Sequence, residues 1–145
     1  MITVAPFYPG DLAEFAVQPW QHADLLAHTP GTPEFWASSG PAFTARNAEG
    51  HILQCSGFVE NHGRYASAWA LLSADWSSAK VALHRATRRV IAETRYVRID
   101  MSVRSGFAAA HEWARMLGFV REGTLRRAAP DGGDFDIYAL VREDR

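Results

Sequence analysis

One stretch, FAAAHEWARMLGFVRE at residues 107–122, restricts the fold more than any other. Phe107, Ala110, Ala114 and Leu117 recur at steps of three and four, and Trp113 widens that apolar stripe. His111, Glu112 and Arg115 fall on the other side. Gly118 stands where a helix ends in the left-handed conformation, and Phe119 begins an extended run. Ser105 or Gly106 can start the helix. A chain that passes directly from an amphipathic helix into a strand lays that helix against a sheet.

The remaining elements follow from periodicity and turn chemistry. Ile2 to Tyr8 reads as a short strand closed by Pro9-Gly10. Asp11 can cap a helix over Leu12 to Val17, with Glu14 completing a capping box. Gln18 to His28 also reads as helix, with Leu25 and Leu26 apolar. Thr29-Pro30-Gly31 breaks it, and Thr32 caps a short helical turn whose Phe35 and Trp36 are expected core contacts. Strands at Pro41–Ala48 and His51–Glu60 flank the Glu49-Gly50 hairpin signal. Asn61-His62-Gly63 turns the chain into a third strand, Arg64 to Leu72, with alanines on one face. Small residues there mean that a helix or a ligand packs closely. Ser77 opens a long helix to about Thr94, and Tyr96 to Val103 is a strand. After the helix at 107–117, strands at Phe119–Ala128 and Phe135–Arg142 flank a turn at Pro130–Gly133. The order is β-α-α-β-β-β-α-β-α-β-β in one domain spanning residues 1–145, a mixed α+β, three-layer arrangement.

This order resembles the GCN5-related N-acetyltransferase (GNAT) superfamily. The local match runs from Ala109-Ala110 through Leu117-Gly118-Phe119 to Glu122-Gly123. The resemblance implies a mostly antiparallel central sheet of about six to seven strands with helices on both faces. It also implies acetyl-CoA as co-substrate, held where strands 64–72 and 96–103 splay apart. Backbone groups of Leu71, Leu72 and Ser73 would meet the pantetheine arm. The pyrophosphate would sit at Ser77, Ser78, Ala79, Lys80 and Val81, where free N–H groups and the helix dipole favour an anion. Phe107 occupies the position where the family often has an asparagine.

Three positions depart from the family pattern. The phosphate stretch from Asp75 to Ala82 contains no glycine, and Asp75 would repel a close phosphate. Forcing a non-glycine residue into a left-handed backbone there costs on the order of 1–2 kcal/mol, against about 8 kcal/mol for micromolar binding. A plain helix start capped by Ser77 is the alternative. Ala114 stands where many members carry a tyrosine that protonates the departing thiolate, a loss of about a hundredfold. A base is also needed, because a lysine-like amine with pKa about 10.4 adds roughly 4.6 kcal/mol to the barrier at pH 7. Glu60, Asp100 and Ser102 are the candidates, with His62 beside the first. Glu60 and His62 can instead be solvated turn residues, and Asp100 can pair with Arg98.

Composition narrows the function class. Cys55, the only cysteine, lies in an apolar strand pattern and reads as a buried, inert thiol, which leaves direct attack as the route. His22, His28, His51, His84 and His111 have no metal-ligand spacing, so no metal is expected. No apolar run spans a membrane and no signal peptide is present, pointing to a cytoplasmic protein. Net charge is -1, so the Arg85, Arg88, Arg89 and Arg95 face reads as solvated and nucleic acid is not an expected partner. The leading expectation is acetyl transfer to a small-molecule or protein amine. The alternative is a catalytically inactive binding or assembly protein on the same fold, of the kind known from phage genomes. An edge strand leaves a homodimer open.

Overall fold

The computed structural model describes residues 1–22, 24 and 29–144. Seven strands form one sheet: β1 (Thr3–Pro6), β2 (Ala42–Arg46), β3 (Ile52–His62), β4 (Tyr65–Leu72), β5 (Arg98–Arg104), β6 (Val120–Leu125) and β7 (Phe135–Val141). Their order is β1-β2-β3-β4-β5-β7-β6. Every neighbouring pair is antiparallel except β4 and β5. Three α-helices lie among the described residues: α1 (Thr32–Ser38), α2 (Lys80–Glu93) and α3 (Ala108–Met116). The parallel join is the consequence of α2, which carries the chain back across the sheet between β4 and β5.

Alternation along the strands separates two apolar faces. One face buries Phe58, Ala66, Ile99, Val103 and Tyr138 against Ile91 of α2 and Ala114 of α3. The other packs Phe7, Ile52 and Cys55 with Trp36 of α1 and Trp69 of β4. Trp36 stacks on Trp69 at 4.2 Å. Phe35, expected in the core, instead points outward and is 55% exposed. A one-position shift on a seven-residue helix moves a side chain by about 100°, so only one of the two aromatics can face the sheet.

Two helix starts differ from expectation. Asp11 does not cap a helix over Leu12–Val17. It is buried inside a 3-10 turn at Pro9–Ala13, where it accepts hydrogen bonds from the Tyr8 amide at 3.0 Å and the Thr44 hydroxyl at 2.7 Å. Pro19–Gln21 is also a 3-10 turn. The expected helix continues into residues 23 and 25–28, so Leu25, Leu26 and His28 lie outside the described residues. Helix α3 ends as its sequence indicates: Gly118 has φ 95°, and Phe119 is buried immediately after it. No described helix is long and apolar enough to cross a membrane.

Candidate functional site

The pairing of β4 with β5 is short. It runs from Tyr65↔Arg98 to Ser67↔Asp100 and stops there. Ala68–Leu72 and Met101–Arg104 then diverge, leaving a V-shaped opening in the middle of the sheet. Ala66 is fully buried under the helices. Ala68 and Ala70, two steps further on each time, line a cavity of about 190 Å³. The small face of β4 therefore serves a helix at one end and a void at the other. Met101, Phe107 and Trp113 continue the apolar wall, and the cavity extends beneath α2.

The open edge of β4 is covered by the chain itself. The Gln21 side chain donates to the Ala70 carbonyl at 2.6 Å and accepts from the Leu72 amide at 3.0 Å. The Gln18 amide donates to the Leu72 carbonyl at 2.8 Å, and Val17 bridges Ser73. Trp20 stacks on Phe107 at 5.0 Å, and Asp24 pairs with Arg104 at 2.7 Å. Val17, Gln18, Trp20, Gln21 and Asp24 thus reach β4, the start of α3 and the end of β5. The backbone positions expected to meet pantetheine already have partners: Leu71 pairs with Cys55, the Ser73 amide donates to Leu53, and Leu72 is held as above. Gln21 escapes sequence reasoning because its two bonds span about fifty residues and no local pattern marks them.

The anion end also differs in detail. Ser77 does not begin the α-helix or cap it. Trp76–Ala79 forms a 3-10 turn, with the Ser78 hydroxyl donating to the Asp75 carbonyl at 2.8 Å. Helix α2 starts at Lys80, without a side-chain cap, and both Lys80 and Val81 are exposed. The anticipated left-handed strain is absent, because Arg127 is the one non-glycine residue with positive φ among those described. Serines compete for local backbone partners and favour such turns over a regular helical start.

Of the three acid–base candidates, only Ser102 lines the cavity. Glu60 accepts a hydrogen bond from the Tyr96 hydroxyl at 2.5 Å. Burial, reinforced by that carboxylate, raises the Tyr96 pKa. Asp100 accepts from Tyr65 at 2.5 Å, Ser67 at 2.7 Å and Arg98 at 3.3 Å, at the closed end of the V. The Ala114 position is 0% exposed and carries no hydroxyl to the cleft. Burial pushes the Cys55 thiol up to about 12, so it stays protonated at neutral pH.

His111 corrects the helix-face assignment. It is buried, not solvated: Nδ1 meets the Tyr138 hydroxyl at 2.7 Å, and Nε2 meets the Arg104 and Ser105 carbonyls at 3.0 and 2.9 Å. Two carbonyl acceptors place a proton on Nε2, and Nδ1 shares a hydrogen bond with the Tyr138 hydroxyl. Beside it, burial opposes ionisation of Asp136, but hydrogen bonds from Thr124, Ser105 and Arg121 hold its pKa below the usual range. These groups tie α3 to β7.

Three buried side-chain atoms have no hydrogen-bond partner among the described residues: Gln54 Oε1, Trp69 Nε1 and Arg104 Nε. Gln54 and Arg104 line the cavity, whereas the Trp69 ring packs against Phe7 and Trp36 on the opposite face of the sheet. Gln54 was visible in the sequence as a polar break in an apolar strand, a signal that the periodicity of residues 51–60 offers only in retrospect.

Three solved structures share this architecture across nearly their whole length. A provisionally classed acetyltransferase from Acinetobacter baylyi ADP1 superposes with TM-score 0.75 at 12% identity, covering 100% of this chain and 95% of its own. The ribosomal-protein-S5-alanine acetyltransferase from Vibrio fischeri gives 0.70 at 16% identity, with 99% and 94% covered. A GNAT-family acetyltransferase from Bacillus anthracis gives 0.68 at 15%, with 99% and 96% covered. At such identities the likeness is one of fold, and the fold of this chain is that of the GNAT acetyltransferases. No protein-family model and no curated protein matches the sequence.

Proposed function

We propose that this protein is an acetyl-CoA-dependent N-acyltransferase that passes an acetyl group to an amine by direct attack. The observation that carries this reading is the opening between β4 and β5, apolar-walled yet bordered by unpaired polar atoms. A pantetheine arm alternates apolar segments with amides, and its carbonyls suit the unpaired Nε–H of Arg104. These residues fit the group. Lys80 and the free N–H groups at the start of α2 would hold its phosphates. Bound there, acetyl-CoA supplies an activated thioester.

The chain's own side chains have limited roles. Met101, Phe107 and Trp113 exclude water from the cleft, which strengthens any polar contact inside it. Asp24 and Arg104, already paired, are the only ionisable side chains among the described residues lining it. No thiol relay operates, since Cys55 is enclosed in the opposite face of the sheet. The amine therefore attacks directly and must arrive neutral.

A second reading, ligand binding without transfer, is favoured by the self-covered edge of β4. The two readings separate in one pair of measurements. Acetyl-CoA at a hundred times its dissociation constant should stabilise the fold by about 2.7 kcal/mol in thermal unfolding. No shift at millimolar acetyl-CoA would sink both readings as far as this ligand is concerned. A shift without thiol release across an amine panel would keep binding and withdraw the transfer.

The Gln21 contacts make a further expectation. Each hydrogen bond from this side chain to β4 contributes about 1 kcal/mol net, and a ligand using Ala70 or Leu72 must first displace them. Gln21→Ala should tighten acetyl-CoA binding about tenfold in calorimetry. Weaker binding in the variant would make Gln21 a part of the ligand site and not its competitor.

A further inference from the structure

Across the opening from β4, the wall is carried by β5 and by the turn that joins it to α3. Arg104 ends β5, Phe107 directly precedes α3, and both line the cleft. Trp20 stacks on Phe107, while Asp24 and Asp131 hold the Arg104 guanidinium. No side chain caps the start of α3. The turn is held instead from within the helix.

His111, the fourth residue of α3, reaches back over that turn. Its Nε2 donates to the Arg104 carbonyl at 3.0 Å and the Ser105 carbonyl at 2.9 Å. Its Nδ1 meets the Tyr138 hydroxyl at 2.7 Å. Tyr138 is completely buried and stands in register with Met101 of β5 and Arg121 of β6, so it is a fixed point in the sheet. Asp136 Oδ2 is 3.8 Å from Nε2, and that carboxylate is engaged by Ser105, Thr124 and Arg121. Ser105 has ties of its own, its amide to the Asp134 carbonyl and its hydroxyl to Asp136. The turn therefore stays attached to β7 without His111. What the imidazole adds, being polar at both ends, is a set spacing between α3 and β7.

We infer that His111 is a positioning residue: through the Arg104 and Ser105 carbonyls it holds Arg104 and Phe107 where the pantetheine arm of acetyl-CoA passes. This rests on the acyl-transfer reading of the cleft and adds a residue that acts through the turn without lining the cleft itself. The phosphates are assigned to the start of α2, a different element, and do not depend on it.

Calorimetry on the full chain tests this with acetyl-CoA and with 3′-phosphoadenosine 5′-diphosphate, the nucleotide part of coenzyme A without its arm. In His111→Leu acetyl-CoA should bind about tenfold more weakly, while the nucleotide binds as it does to the unaltered chain. Transfer at saturating acetyl-CoA and amine should fall about a hundredfold, the effect of displacing a reacting group by about 1 Å. His111→Gln keeps an amide that can donate to the carbonyls, and it should recover acetyl-CoA affinity to within about threefold. Should His111→Leu fail to fold, Tyr138→Phe removes only the hydroxyl and should weaken acetyl-CoA about threefold with the nucleotide unchanged. A folded His111→Leu that binds acetyl-CoA as the unaltered chain does, or that loses both ligands equally, overturns the inference and leaves the proposed function intact. Equal losses in His111→Gln and His111→Leu would reduce the residue to packing and overturn it as well. If the unaltered chain does not bind acetyl-CoA, the proposed function and the inference fall together.

Discussion

Transfer to a lysine-like amine is expected to accelerate about tenfold for each pH unit between 7 and 10. An amine of pKa about 10.4 is neutral in only about one molecule in 2,500 at pH 7, and only that form attacks. A base on the protein would flatten this dependence by removing the proton within the cleft. Ser102 is the one sequence-selected candidate that lines the cavity, and an unassisted hydroxyl does not take a proton from an ammonium. Glu60 and Asp100 are engaged elsewhere, by Tyr96 and by Tyr65, Ser67 and Arg98. The measurement is kcat/KM against pH with one amine and saturating acetyl-CoA. A plateau reached near pH 7 would show that a base is at work and would defeat this account.

Asp100→Ala should cost about 2–3 kcal/mol of folding stability. The carboxylate has a side-chain exposure of 15% and receives three donors, so its removal strands the Tyr65 and Ser67 hydroxyls. Arg98 suffers less, since Glu122 holds it at 2.8 Å. That salt bridge is half in solvent and contributes little by itself. Chemical denaturation should give the loss as a lower midpoint at unchanged slope. Because Asp100 sits where β4 and β5 are still paired, the chemical step should be unaffected at temperatures where the variant is folded. A stable Asp100→Ala protein with transfer lowered a hundredfold would assign Asp100 to the reaction.

The sequence carried the architecture well where neighbours in the chain decide it. Glu49-Gly50 marks a hairpin that β2 and β3 form, and Leu117-Gly118-Phe119 marks the passage from α3 to β6. It carried the site less well, for identifiable reasons. His111 looks solvated by hydropathy, yet a buried imidazole is acceptable once both ring nitrogens have partners, and those lie on β7 and on the β5–α3 connection. Gln21 and Gln54 owe their significance to backbone and cavity positions fixed only after the sheet assembles. Ser77 and Ser78 favour a helix start by type, but their competition for local backbone bonds delays α2 to Lys80. Phe35 and Trp36 show the same limit at a shorter range, since adjacent aromatics give no hint of which one faces inward.

The brief parallel contact between β4 and β5 also bears on how the molecule assembles. Strands β1 to β4 form an antiparallel series of their own, and β5, β7 and β6 form another. The β2–β3, β3–β4 and β6–β7 pairings close shorter loops than the pairing across α2, which joins residues 33 apart, such as Tyr65 and Arg98. These hairpins can therefore gain order before the seam between the two series does. The cleft lies on that seam, so it is completed only when long-range contacts form, and it is a place where partial unfolding would separate the halves.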